Sequence, residues 1–96
     1  MKAVRCASLA EIRERIDAID RVIIAALAER GEYVTQAAAF KRDDAEVRAP
    51  QRAAQVVENA RKIALQQGAD PEVVGRIYRE IVAAFTDAEL ATHRAK

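Results

Sequence analysis

The fold of this 96-residue chain is decided by the stretch SLAEIRERIDAIDRVIIAALAER, residues 8–30. Its large apolar residues recur at alternating steps of three and four, which is the spacing of one face of an α-helix. They are Leu9, Ile12, Ile16, Ile19 and Ile23. Ser8, followed three residues later by Glu11, forms a capping box, so we predict that a helix begins at this point.

The helical pattern continues past Arg30 and meets no stop signal before Lys41. A helix of about 33 residues would be about 50 Å long, whereas a compact domain of about 100 residues has a radius of gyration of about 13 Å. The helix is therefore expected to extend beyond its own domain and to leave its isoleucine seam uncovered. A twofold partner covers such a seam with the same surface, and we predict an intertwined helical homodimer.

Two further helices are predicted after a charged linker. An amphipathic run begins near Pro50 and ends at Gly68, a residue typical of C-terminal caps. Asp70 is an N-cap candidate, and Pro71 follows it at the first helical position. This third helix is expected to extend to about His93.

The predicted fold class is therefore all-α, with three helices per chain and a long first helix. Aromatic residues make up only 4% of the chain, which disfavours a sheet. A single domain is expected to cover residues 1–96, with residues 1–7 as a disordered tail. The segment 42–49 and the turn at Gly68 are the predicted linkers.

The charges of the chain nearly cancel, with 16 Lys and Arg against 15 Asp and Glu. Without an overall positive field or a basic face with interleaved aromatics, binding to nucleic acid is disfavoured. No apolar stretch approaches the roughly 18 residues of a membrane span, so no membrane partner is expected. Any cationic function must therefore be local.

Cysteine and histidine each occur once, as Cys6 and His93. A single cysteine cannot form an internal disulfide, and the N-terminus lacks the apolar run of a secretory signal. A cytoplasmic protein is therefore expected. No ligand spacing indicates a metal, no cofactor is predicted, and we interpret both residues as having no functional role.

Several charged residues fall on faces that should be apolar. Arg30 lies on the seam of the first helix, and Lys41 would lie about 20° from it if that helix continued. Glu89 continues the apolar stripe of the third helix, and Arg52 lies near the start of the second. Three cations and one carboxyl group leave a net positive pocket, which predicts a small dianionic ligand. The alternative is an interior salt-bridge cluster, or side chains that reach water at the helix ends.

Arg13 adds a geometric indication of a second subunit. It precedes Arg30 by about 25 Å along the helix and lies about 100° around it, too far for both to hold one small molecule from one chain. In a dimer with antiparallel long helices, Arg13 of one subunit reaches the pocket of the other. Alternatively, Arg13 belongs to a solvent-facing charge pattern with pairs such as Glu11 and Arg15.

Together these residues resemble the all-helical, type II chorismate mutase family, and within it the isochorismate pyruvate lyase branch. The resemblance covers nearly the whole chain, from the opening stretch through FK and APQR to the end of the third helix. The arrangement in which Lys41 precedes Arg52 by eleven residues, with Ala49 and Pro50 just before that arginine, is similar to the lyase branch.

The resemblance implies a pericyclic rearrangement of chorismate to prephenate that needs no cofactor. Arg30 and the partner subunit's Arg13 would bind the carboxylates of the substrate. Lys41 would reach the ether oxygen and a carboxylate, and Glu89 would face the same ether oxygen from the other side. Arg52 would add positive potential at the rim.

Two departures from the family pattern affect this expectation. Many of these mutases have glutamine where this chain has Glu89, which must be protonated to donate a hydrogen bond, so activity is expected to rise as the pH falls. Ala49 and Ala53 stand where typical bacterial mutases carry carboxylates that hold the ring hydroxyl of the substrate. Their absence leaves the substrate isomer open.

Two alternative functions remain at this point. One is lyase chemistry in the same pocket, which converts isochorismate to salicylate and pyruvate. The other is a helical interaction module without catalysis, in which the cations and Glu89 form an interior salt-bridge network.

Overall fold

The computed structural model describes residues 2–95, and the helices in this range are joined by short turns. They are α1 (Leu9–Ala38), α2 (Asp44–Arg48), α3 (Pro50–Gln67) and α4 (Pro71–Arg94). No strand occurs among these residues. The all-α prediction is confirmed, with α1, α3 and α4 as the three predicted helices. Met1, the first residue of the predicted tail, and Lys96 lie outside the described residues.

The start of α1 follows the predicted capping box. The backbone N–H of Glu11 donates to the Ser8 hydroxyl at 3.1 Å. In return, the Glu11 carboxylate accepts from the backbone N–H of Ala7 at 3.0 Å. The Ser8 hydroxyl thus satisfies one N–H that the helix start leaves unpaired, and the Glu11 carboxylate satisfies the N–H of the residue before the N-cap.

The end of α1 differs from the prediction, because the helix stops at Ala38 and not at Lys41. The chain tightens there into turns with three-residue spacing, in which the N–H of Phe40 donates to Ala37 at 3.0 Å and that of Lys41 to Ala38 at 3.2 Å. Phe40, the last apolar residue of the predicted pattern, is 87% exposed. Lys41 therefore does not share a helical face with Arg30 in the way that the sequence pattern indicated.

The segment predicted as a linker contains the short helix α2. Its N-cap is Asp43, whose carboxylate accepts from the backbone N–H of Glu46 at 2.9 Å. The Glu46 carboxylate accepts from the backbone N–H of Arg42 at 2.9 Å, which closes a second capping box. Val47 is 3% exposed and anchors α2, which packs against α4.

The predicted boundaries of α3 and α4 are confirmed. Gly68 ends α3 in the left-handed conformation with φ of 75°, where glycine carries no steric penalty. The Asp70 carboxylate caps α4 by accepting from the backbone N–H of Glu72 at 2.9 Å. Gly75 is buried, and the side chain of Arg61 lies across it, so α3 and α4 approach closely at this point.

The described chain divides into two compact units within α1. The first extends to Tyr33, and its large apolar side chains on the predicted seam are between 41% and 59% exposed. The second begins at Val34 and has a small core in which each side chain is 3% to 5% exposed. That core consists of Ala38, Val47, Ala60, Ala64 and Leu90.

None of the helices in residues 2–95 combines the length and apolar character needed to cross a lipid bilayer.

Candidate functional site

The candidate site is centred on an ion pair between Lys41 and Glu89. Lys41 Nζ donates to Glu89 Oε2 at 2.8 Å, and the lysine side chain is 25% exposed. Glu89 is 7% exposed as a residue, so its carboxylate has lost most of its water. A short bond between two charged groups offsets part of that desolvation cost.

Local structure explains why these two groups meet. Glu89 precedes Leu90, a core residue that is 4% exposed, on the buried side of α4. Lys41 lies at the end of the turn that follows α1. Its side chain therefore does not continue the row of residues on the seam of α1. The termination of α1 before Lys41 is therefore part of what builds the site.

His93 makes a second contact with the same residue. Its Nε2 atom lies 3.2 Å from the main-chain carbonyl oxygen of Lys41. A carbonyl oxygen can only accept, so the imidazole donates this hydrogen bond. The interpretation of His93 as a residue without a role missed this contact. The available signal was its position four residues after Glu89, which places both side chains on one side of α4.

Arg94 and Asp44 join α4 to α2 beside the site. Arg94 donates to Asp44 Oδ2 from Nη2 at 2.6 Å and from Nε at 3.2 Å. The hydrogen bond that Arg94 donates lowers the pKa of the Asp44 carboxyl below its usual value, and the same bond raises the pKa of Arg94. Arg42 lies just before α2, and hydrogen bonds from its backbone and side chain lower the pKa of Glu46 within that helix.

Arg52 lies in the first turn of α3, as predicted, and its side chain is exposed. Its Nη1 atom donates to Gln55 Oε1 at 3.0 Å on the same helix. Because glutamine is neutral, this bond leaves the positive charge of Arg52 uncompensated by its partner.

Arg13 and Arg30 belong to the first unit, on the continuous helix α1. Arg13 is exposed, whereas Arg30 is half-buried and its Nη1 atom is shielded from solvent. Their separation of seventeen residues corresponds to about 25 Å of helix. The two arginines of one chain therefore cannot hold opposite ends of one small molecule, as the sequence indicated.

Within residues 2–95, no group of three or more His, Cys, Asp or Glu side chains is arranged to hold a metal ion. Lys41 and Glu89, two of the predicted site residues, are joined by a direct bond.

These features define an all-helical protein with a partly buried ammonium–carboxylate pair, and sequence comparison identifies its family. The model of the family described as chorismate mutase type II matches residues 12–90. The chain therefore belongs to the chorismate mutase type II family, which confirms the resemblance. It is also 38% identical over 77 residues to a protein of Pseudomonas aeruginosa named isochorismate pyruvate lyase. That match covers 80% of this chain and 76% of the relative.

Proposed function

We propose that this protein is a chorismate mutase that rearranges chorismate to prephenate in a cationic pocket. The observation that carries the proposal is the Lys41–Glu89 pair, with its 2.8 Å bond inside the segment that the family model matches. An ammonium group and a protonated carboxyl group that lie side by side can both donate hydrogen bonds to one ether oxygen. Membership of the chorismate mutase type II family supports this assignment.

The proposed chemistry depends on a change of partner for Lys41 when the substrate binds. In the structure the two charges neutralise each other, which keeps the desolvated site stable. A carboxylate of the substrate would replace the Glu89 carboxylate as the partner of Lys41. Glu89 then takes up a proton from solvent and donates a hydrogen bond to the ether oxygen, while Lys41, still protonated, stabilises the charge that develops as the C–O bond breaks.

A dicarboxylate substrate needs cations at more than one point, and a homodimer supplies them. Arg30 would bind one carboxylate, and the partner subunit's Arg13 would bind the other, because one chain cannot supply both. The exposed isoleucine seam supports this assembly, since Ile16, Ile19 and Ile23 are 50% to 57% exposed. A contiguous apolar face of this kind is typical of a surface that a second copy covers.

The second candidate function is isochorismate pyruvate lyase activity in the same pocket. The observation that favours it is the 38% identity to the Pseudomonas aeruginosa protein of that name. Cleavage of isochorismate to salicylate and pyruvate also breaks the bond between the ring and the ether oxygen. Lys41 and Glu89 would therefore have the same task, and the product decides between the two reactions.

The test is to supply purified protein with chorismate and isochorismate separately and to identify the products between about pH 5 and 8. Prephenate from chorismate supports the mutase. Salicylate with pyruvate as the faster outcome makes the lyase the function. Turnover of neither leaves a non-catalytic helical module, in which Lys41 and Glu89 form a structural salt bridge.

The pH profile tests the role of Glu89 separately. If protonated Glu89 donates to the ether oxygen, kcat/KM rises as the pH falls, because the neutral carboxyl becomes more populated. Glu89→Gln donates at every pH and should flatten the profile. A wild-type profile that is flat up to about pH 8 would contradict this role.

A further inference from the structure

We propose that His93 is a positioning residue that fixes the backbone of Lys41 and thereby aims its ammonium group at the reacting ether. The proposal rests on the function proposed above. It assigns a task to the single histidine of the chain, which the sequence pattern left without one.

The first step of the argument is that α4 holds Lys41 at two points. Glu89 accepts from the side-chain nitrogen at 2.8 Å, and His93 donates to the main-chain oxygen at 3.2 Å. The two residues are four apart on α4, about 6 Å along its axis and on the same side. One turn of a rigid helix therefore fixes both the backbone and the head group of the lysine.

The second step concerns what else restrains Lys41. Its N–H donates to the carbonyl of Ala38 at 3.2 Å, in the turn that follows α1. The next helix downstream, α2, has five residues, so it is a weak support on its own. His93 thus holds the carbonyl side of Lys41, where the chain leaves the turn for a short and independently marginal helix.

The third step is that a lysine needs such support more than an arginine does. Its four-carbon stem is flexible, and its ammonium group has no preferred fork geometry. An aimed donor loses catalytic effect when it is misplaced by about 1 Å. In the substrate complex proposed above, Lys41 leaves Glu89 for the substrate, while the hydrogen bond from His93 still holds its main chain to α4.

Two substitutions separate the hydrogen bond from the bulk of the ring. His93→Gln retains an N–H donor near the position of Nε2 but removes the aromatic ring. His93→Phe retains a ring of similar size but has no donor. If His93 acts by positioning, His93→Phe lowers kcat by about tenfold with KM changed by less than about threefold, and His93→Gln stays within about threefold of wild type. Thr92→Ala, an exposed neighbour on α4, is the matched control and should not change kcat.

A double variant tests whether His93 acts through Lys41. In the Lys41→Ala background, His93→Phe should cause no further loss of kcat, because the group that it positions is gone. Equal impairment by Gln and Phe, wild-type kcat in His93→Phe, or full additivity in the double variant would each overturn the proposal.

Proton NMR of the His93 ring tests this inference without any turnover of substrate. It can therefore fail or succeed independently of the proposed function. Because the chain has one histidine, the proton NMR signal of its ring N–H needs no assignment among several. A signal protected from exchange with water supports the bond to the Lys41 carbonyl, whereas its absence overturns it. Protein that turns over neither isomer yet shows the protected proton refutes the proposed reaction and retains the contact.

Discussion

The two units of this chain solve the problem of burial in different ways. The first, which ends at Tyr33, is one amphipathic helix whose isoleucine seam is exposed. The second, which begins at Val34, packs α2 and α3 against α4 and buries Val47 and Leu90. The first unit leaves its apolar seam uncovered within one chain, while the second unit has a core of its own. Perturbing the two should therefore produce different kinds of effect.

The second unit is nevertheless under-packed for an independent domain. Within residues 2–95, no large side chain is fully buried, and three of the five apolar core residues are alanines. Small domains bury a low fraction of their surface and are correspondingly marginal. Dimer formation would thus contribute to the stability of both units, although only the first presents the apolar seam.

The largest expected effect is on catalysis and comes from Lys41→Ala in the second unit. Removing one aimed donor should lower kcat/KM by about 10² to 10³. Loss of the partner of Glu89 should also cost about 1–3 kcal/mol of stability, so the kinetic assay must be run well below the thermal midpoint. Lys62→Ala, an exposed lysine on α3, is the control and should retain wild-type kcat/KM. A loss smaller than about tenfold for Lys41→Ala would remove this lysine from the mechanism.

The next largest effect is expected in the first unit, from Ile16→Asp. A charge placed in the middle of the apolar seam must be desolvated on dimer formation, so self-association should weaken by about 10². Sedimentation over a range of protein concentrations measures this directly. If Ile16→Asp self-associates as strongly as wild type, the seam is not the contact surface.

The matched control for this prediction is Ala25→Asp. Ala25 is exposed on α1 and lies on the side away from the seam. Ala25→Asp adds the same charge to the same helix. A loss of self-association in Ile16→Asp alone would therefore be specific to the seam. The comparison between units also predicts that the thermal midpoint of wild type rises with protein concentration.

Sequence reasoning succeeded where the signal was local and failed where it depended on packing. The caps at Ser8, Gly68 and Asp70 were predicted because their chemistry lies within a few residues of the helix end. The end of α1 was missed because a periodic pattern counts Phe40 as apolar without regard to its burial.

The short helix α2 and the contact of His93 show the same limitation. A helix of five residues is too short for a hydrophobic period to identify. Its capping box at Asp43 and Glu46 was the only local sign of it. The partner of His93 is a main-chain carbonyl, which every residue has, so no residue type could mark it. Glu89 was selected because a charge on an apolar stripe is rare, whereas Lys41 was selected on a helical face that α1 does not reach.

A smaller effect, on stability alone, is expected at the junction of α2 and α3. Ala49 has φ of 34°, a left-handed conformation that is strained for a residue with a Cβ atom. Ala49→Gly removes this strain but increases the freedom of the unfolded chain, so the net gain should be about 0.5–1 kcal/mol. Ala45→Gly, the same change within α2, should instead destabilise by about 0.5–1 kcal/mol. The free energy of unfolding is measured in urea. Equal losses in both variants would contradict a strained backbone at Ala49.

The smallest expected effect concerns the ion pair that joins α2 to α4. Arg94 lowers the pKa of the Asp44 carboxyl, so the pair favours the folded state when this carboxyl is ionised. Its contribution is therefore present above the ordinary aspartate pKa of about 4 and is lost as the pH falls through the lower value in the folded protein. The side chains of Arg94 and Asp44 are 57% and 46% exposed, so salt should weaken the contribution.

Asp44→Asn isolates this effect. The thermal midpoint of the variant should lie slightly below that of wild type near neutral pH, and the difference should shrink in strong acid or at high salt. Because the pair lies within the second unit, the difference should not vary with protein concentration, in contrast to that of Ile16→Asp. A difference that does vary with concentration would mean that Asp44 or Arg94 also contacts a second copy, and the contrast between a unit with its own core and one with an uncovered seam would then have to be redrawn.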